Sequence, residues 1–330
     1  MNKRRKLIVA LGATALVTPF GSFAQQQGKV WRIGFLWESE QSDSAYVQRI
    51  DAFNAGMREL GYAEGKDYAI EHRSAKSDLA RLPALAGELL ALRVDLIVPQ
   101  GTPSAMAVRN ATREIPILIV TVGDPVGSGL AASLRRPGGN ATGLTNLNSD
   151  LVTKHLDLLR QILPDMRRVG ILYSPDNASN VSILRQFEAD CGKLGFNSIR
   201  APVRQAQDVA TAFHTLKRDQ AQGMIVTAAN SNVAWRESII EQAAKNRIAA
   251  IYADIIFAGS GGLISYATNF PDMYRRAAAY ADKIFKGAKP ADLPIEQATK
   301  FEFIVNLKTA KALGIKIPNS IMVQATKVIE

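Results

Sequence analysis

The feature that most constrains this chain is an alternation. Short apolar runs (Val30 to Trp37, Asp67 to His72, Val94 to Pro99, Ile115 to Val122, Arg168 to Ser174, Ser198 to Pro202, Gly223 to Ala228, Ala249 to Tyr252) are separated by longer amphipathic stretches. The runs have the length and composition of strands buried on both faces. Between them, Tyr46, Ile50, Phe53, Met57 and Leu60 step by three and four, as do Leu184, Phe187, Cys191 and Leu194, and Met273, Ala277, Tyr280 and Ile284. That spacing predicts helices with one buried stripe. Strands alternating with helices imply βαβ units and parallel sheets.

The alternation runs twice, before and after about residue 145, with Arg136-Pro137-Gly138-Gly139-Asn140 and Asn146-Leu147-Asn148-Ser149 near the join. The predicted fold class is α/β, two doubly wound parallel-sheet lobes with a ligand cleft between them. Gly287 to Pro294 has a linker's composition and marks a second place where the chain passes between lobes. The expected division is residues 29–145 plus 269–290 in lobe 1 and 146–268 plus 291–330 in lobe 2.

The ends set the compartment. Lys3, Arg4, Arg5 and Lys6 precede an uncharged run from Leu7 to Ala24 that closes on Ser22-Phe23-Ala24. This is the pattern of a signal peptide cleaved after Ala24. The run holds Thr14, Thr18, Pro19 and Gly21, which suits a cleaved signal better than a spanning helix of roughly 20 apolar residues. Arg4-Arg5 is compatible with either the general secretory or the twin-arginine route. No cysteine stands at the cleavage site to carry a lipid, so a freely diffusing periplasmic protein is expected. The single cysteine, Cys191, lies on an apolar stripe and reads as core.

The net charge of +10 falls to near +6 once the four charges of the leader are removed, and the remaining Lys and Arg are scattered. A nucleic-acid partner requires a dense basic face or a recognisable motif, and neither is present. Enzyme signatures are also missing. Only Gly34 stands where a dinucleotide fingerprint would follow the first strand, and there is no phosphate loop, nucleophile elbow or His-Glu-x-x-His. His72, His155 and His214 are too dispersed for a metal site or triad. No catalytic residue, metal or cofactor is expected.

In open α/β sheets ligands bind beyond the carboxyl ends of the strands, which directs attention to particular loops. After Pro99 comes Gln100-Gly101-Thr102-Pro103-Ser104, with Thr102 as N-cap and Pro103 as first helical residue. A helix N-terminus there would hold a carboxylate, with the hydroxyls of Thr102 and Ser104 as added donors. The equivalent loops contribute Trp37 and Glu38, Thr121 and Asp124, Asp176 and Asn177, Asn230 and Ser231, and Tyr252 and Asp254. Asp254 is the natural partner for a ligand ammonium, with Asp124 and Glu38 behind it. Trp37, Tyr252, Phe257 and Tyr266 are candidate apolar walls, although Phe257 also suits ordinary packing.

Val122-Gly123-Asp124-Pro125-Val126-Gly127-Ser128-Gly129-Leu130, Arg136 to Gly143, Gly261 to Tyr266 and Lys286 to Pro294 together resemble the ABC-transporter substrate-binding family that includes tryptophan- and tyrosine-binding members. The resemblance spans the whole mature chain. It implies the type I periplasmic-binding-protein fold, lobes that close on ligand, three crossings at the hinge, and an ABC permease in the inner membrane as partner. It also carries the Gly101 to Ser104 loop over as an anion-holding element. In the second lobe this chain has Ala229 where amino-acid-binding members tend to place an acid before the Asn, a departure that tells against an aromatic amino acid and points toward a related carboxylate or aromatic compound. The expected function is capture of a small carboxylate-bearing molecule by a monomer. A ligand sensor for a receptor and a periplasmic α/β enzyme are the rival readings.

Overall fold

The computed structural model describes residues 29–40, 44–146 and 148–330, so the leader and its cleavage site lie outside the described residues. Lobe 1 is built from β1 (Trp31–Trp37), α1 (Ser44–Glu59), β2 (Tyr68–Ser74), α2 (Leu82–Ala91), β3 (Leu96–Pro99), α3 (Gly101–Ala111), β4 (Ile117–Val122) and β5 (Ala141–Thr145). The chain then enters lobe 2 through α4 (Asn148–Ile162), β6 (Arg168–Tyr173), α5 (Ala178–Leu194), β7 (Asn197–Pro202), α6 (Asp208–Arg218) and β8 (Gly223–Val226). Lobe 2 continues with α7 (Asn230–Ala234), α8 (Arg236–Lys245), β9 (Ala249–Tyr252), α9 (Ile256–Gly259) and β10 (Ile264–Thr268).

α10 (Phe270–Phe285) and β11 (Glu296–Gln297) return to lobe 1. β12 (Phe301–Asn306), α11 (Leu307–Leu313), α12 (Asn319–Met322) and β13 (Lys327–Ile329) finish in lobe 2. The first sheet has the order β11-β5-β4-β3-β1-β2 and the second β13-β12-β10-β9-β8-β6-β7. Every pairing is parallel except β10 with β12. The antiparallel pair follows from the third crossing, which brings the chain back beside β10 from the opposite end.

The chain changes lobes after Thr145, after Thr268 and between Gln297 and Phe301. The third change comes later than residue 290, because Glu296 and Gln297 pair with Leu144 and Thr145 at the edge of the first sheet. The Gly287 to Pro294 segment therefore runs along lobe 1, where the Thr142 hydroxyl donates to the Leu293 carbonyl at 2.8 Å.

Strands buried on both faces need a helix layer on each side. In lobe 1, α1 and α10 cover one face with Phe53, Met57, Tyr274 and Ala278 against Phe35 and Trp37. Gly56 lets the two helices approach closely, since a Cβ there would strike the Arg275 carbonyl. The other face is covered by Leu82, Leu85, Leu89 and Val108. In lobe 2, Leu156, Leu159, Phe187 and Cys191 pack under one face, and Phe213, Leu216 and Ile239 under the other. Cys191 is buried as expected, and burial pushes its thiol up to about 12. Among the described residues no helix is long and apolar enough to cross a membrane.

Candidate functional site

The carboxyl ends of both sheets face one another across a polar cavity. Arg49, Gly101, Thr102, Thr121, Gly123, Asn146 and Phe270 line it from lobe 1 and the hinge. Asn177, Ser179, Ala228, Ala229, Asn230 and Asp254 line it from lobe 2.

The expected β3–α3 loop contributes, although not as foreseen. α3 begins at Gly101 with Gln100 as its cap residue, so Thr102 and Pro103 already lie inside the first turn. Gly101 has φ +75°, and an added Cβ would stand 2.8 Å from Glu38 Oε1 and 2.9 Å from Asn230 Nδ2, which explains a glycine there. The donors at this helix end serve the protein's own Glu38. Ser104 N and Oγ donate to Glu38 Oε1 at 3.3 and 3.2 Å, and Asn230 Nδ2 donates to Oε2 at 2.9 Å across the cleft. Ser104 Oγ also contacts the Gln100 carbonyl. An internal carboxylate thus occupies the place anticipated for a ligand's. Burial drives its pKa up to about 7 even though each of these donors favours the ionised form.

On the wall of the cavity stands an ion pair the sequence did not reveal. Arg49 Nη2 lies 3.6 Å from Asp254 Oδ2, and both side chains are more than nine-tenths buried. Arg49 Nη1 also donates to Asn230 Oδ1 at 3.3 Å, and its guanidinium lies 5.0 Å over the Phe270 ring. Arg49 falls one residue before Ile50 of the α1 stripe and reads in sequence as a solvated helix charge. Asp254 and Asn230 of lobe 2 and Phe270 at the crossing meet it there. Asn146, Ser179 and Phe270 were missed for the same reason: each follows a crossing or starts a helix, positions that take meaning from the other lobe.

Several hydrogen bonds join the lobes directly. Thr102 Oγ1 and Ser179 Oγ share one at 2.7 Å, and Asp124 N donates to Ser179 Oγ at 2.9 Å. Ser182 Oγ donates to Asp124 Oδ2 at 2.8 Å, while the other Asp124 oxygen accepts from Gly127 N. Asp124 is therefore a latch between lobes and a turn-former, beside the cavity rather than in it. Asn177 caps α5 through Ser179 N and Asn180 N and still borders the cavity.

Other expected residues lie elsewhere. Trp37 is in the core of lobe 1, stacked near Phe35 and Tyr274. Tyr252 is buried against Phe257, and Tyr266 packs on Phe303 and His155. In each case the residue is in or next to a strand whose helix layer fills the space, so the ring is covered before it reaches the cleft. Pro103 and Asp176 line an outer groove with Leu79 and Met106, where Asp176 is exposed and paired with Arg204 at 3.5 Å. Ser231 sits in α7, its carbonyl accepting from Trp235 N. Phe270 is the aromatic that does border the cavity. Among the described residues no cluster of His, Cys, Asp or Glu has the makings of a metal site.

Two lobes with a polar cavity at facing sheet ends set the context for comparison with known proteins. Residues 41–329 match the family model described as ABC transporter substrate binding protein. The chain belongs to that family.

A tyrosine-binding protein of Clostridioides difficile (strain R20291) is 26% identical over 264 residues, covering 80% of this chain and 76% of that protein. A Streptococcus pneumonia ABC domain solved in complex with L-Trp superposes with a TM-score of 0.85 at 24% identity, over 91% of this chain and 100% of the other. The ligand-free, open structure of a Clostridium difficile substrate-binding protein with adhesive properties is 26% identical, covers 91% of this chain and 99% of its own, and has a TM-score of 0.67. The type I periplasmic-binding fold expected from sequence is thus the fold of this substrate-binding protein.

Proposed function

We propose that this chain is the exported, periplasmic binding component of an ABC importer, a monomer that captures a small carboxylate-bearing ligand by closing its lobes and presents it to a permease in the inner membrane. The observation that carries this reading is the Arg49–Asp254 pair, a cation and an anion held 3.6 Å apart in a cavity walled by both lobes. At that separation the charges are close enough to neutralise one another and too far apart for a short bidentate bond.

A ligand carboxylate would take the Arg49 guanidinium and the Thr102 hydroxyl, and a ligand ammonium would take Asp254. Thr121, Asn177 and Asn230 supply further polar groups at the cavity wall. This assignment moves the carboxylate from the α3 N-terminus to Arg49, because Glu38 already fills the former.

The two TM-scores support a closing motion. At nearly equal identity the chain fits the L-Trp complex at 0.85 and the open form at 0.67, which matches lobes drawn together. The interlobe bonds of Thr102, Asp124 and Glu38 would be lost in an open form, and only such differential contacts let a ligand shift the population. The tyrosine-binding relative and the L-Trp complex make aromatic amino acids the first compounds to test, with related carboxylates beside them.

The test is a thermal-shift screen of residues 25–330 against amino acids, aromatic acids and small carboxylates. A ligand bound by the folded state alone raises the melting temperature. A saturable rise without turnover is expected. Absence of any rise, or consumption of a stabilising compound, would overturn the proposal.

A further inference from the structure

Beside the central cavity lies a second, wider chamber, open between the start of α1, the α9 turn, the start of α10 and the β12–β13 edge. The two spaces share Arg49, Asp254 and Phe270, so the ion pair and the ring beneath it are their common wall. Their linings differ in kind. Thr102, Thr121, Asn177 and Asn230 border the central cavity, whereas Ile255, Ile256, Pro271 and Ile304 border the chamber.

We propose that this chamber is a tail subsite: the ligand's charged head lies in the central cavity and its hydrocarbon body passes Arg49 and Asp254 into the chamber, which makes the substrate class elongated carboxylates with an apolar tail. The inference rests on the function proposed above.

The physical reason is a partition of chemistry. An apolar body in the central cavity would leave its amides and hydroxyls without partners, a cost of roughly 1–3 kcal/mol for each buried group. In the chamber the same body covers isoleucine and phenylalanine surface.

The other exit is closed to it. The outer groove formed by Leu79, Pro103 and Met106 shares only Thr102 with the cavity, and on that side Thr102 is hydrogen-bonded across the cleft to Ser179. Toward the chamber the barrier is the 3.6 Å contact between Arg49 and Asp254, which a zwitterionic or anionic head would itself engage. The chamber ends at Glu302 and the exposed Lys327, which leaves a polar rim for a tail that carries a polar tip.

Gly259 provides the test. It lines the chamber but not the central cavity, it is exposed, its backbone is not left-handed, and a Cβ there meets nothing within 4 Å. Gly259→Phe would fill the chamber while leaving the head site intact, and Gly259→Ala is the control for the backbone change. Calorimetric titration would use acetate, 3-phenylpropionate and 5-phenylpentanoate, with L-alanine, L-phenylalanine and L-homophenylalanine as the series that also carries an ammonium.

In the wild type, affinity is expected to rise about fourfold per added methylene between series members of like head group. Gly259→Phe should erase the gain for the long members and leave the short ones unchanged, while Gly259→Ala behaves as wild type. Binding with no dependence on tail length, or equal weakening of short and long probes by Gly259→Phe, overturns the tail subsite and leaves the binding function standing. Failure of every probe to bind either protein overturns the binding function and the tail subsite together.

Discussion

The two cleft faces use the same elements differently. On lobe 1 the N-terminal turn of α3 is occupied by the protein's own Glu38, and the cation available to a ligand is Arg49, delivered from a different helix. On lobe 2 the N-terminal turn of α5 is capped by Asn177, and Ser179 turns its hydroxyl outward to meet Thr102 and Asp124. Lobe 1 thus fills its helix start with its own Glu38, which Asn230 of lobe 2 also reaches, while lobe 2 turns a helix-start hydroxyl toward lobe 1. A helix start at a strand's carboxyl end marks the cleft, but which atoms remain for a ligand depends on what the neighbouring loop has already placed there.

Removing the buried cation should separate the faces most sharply. Arg49→Ala leaves Asp254 buried without that partner, a change worth roughly 3–5 kcal/mol, and ligand affinity in calorimetry should fall at least about 100-fold. The double variant Arg49→Met with Asp254→Leu should recover melting temperature and still fail to bind. If it binds normally, the pair is structural and not a recognition element.

pH probes the lobes in opposite directions. Glu38 in lobe 1 has its pKa raised from 4.5 to about 7 by burial, so the folded state binds more protons than the unfolded one across that interval. Stability from this group is full below pH 4.5 and is lost as pH rises toward 7, by roughly 3 kcal/mol in all. His155 in lobe 2 is buried, with its ring nitrogen 2.6 Å from the Tyr266 carbonyl, and burial lowers its pKa from 6.5 to about 4. Its contribution is full above pH 6.5 and is lost as pH falls toward 4, by a similar amount. Because the two windows overlap with opposite signs, the contributions nearly cancel in the wild type between pH 4.5 and 6.5, and melting curves of Glu38→Gln should uncover the rise set by His155 over that interval. A Glu38→Gln profile that parallels wild type would refute the placement of the carboxylate in the α3 turn.

The smallest effect expected is at the lobe contact. Thr102→Ala removes one hydrogen bond to Ser179, worth about 1 kcal/mol, so affinity should drop roughly fivefold with little change in melting temperature. An unchanged affinity would mean that the Thr102–Ser179 contact does not contribute to closure.

The alternation of apolar runs and helical stripes makes the two parallel-sheet lobes legible in the sequence, because buried strands and striped helices leave periodic traces. β5, β10 and the strands after residue 290 were less visible. β5 carries Thr142, Gly143 and Thr145 among its apolar residues, and β11 has only two residues. Among the residues that line the cavity, Gly101, Thr102, Thr121, Asn177, Asn230 and Asp254 were candidates from their place after a strand. Arg49 was not, since a charge on a helix face is solvated unless another part of the chain covers it. Trp37, Tyr252 and Tyr266 show the converse, with aromatic character at the right end of the right strand and orientation set by core packing.

The most direct test of ligand capture between closing lobes is a reversible lock. Thr102 and Ser179, whose oxygens are 2.7 Å apart across the cleft, would be replaced by cysteine in a Cys191→Ala background, and uptake of a ligand from the thermal-shift screen measured in oxidised and reduced protein. The predicted result is that the disulfide forms faster with ligand present, that protein oxidised empty takes up none, and that reduction restores binding. Undiminished uptake by the empty, locked protein would contradict the account, because the ligand would then be binding somewhere other than the cleft.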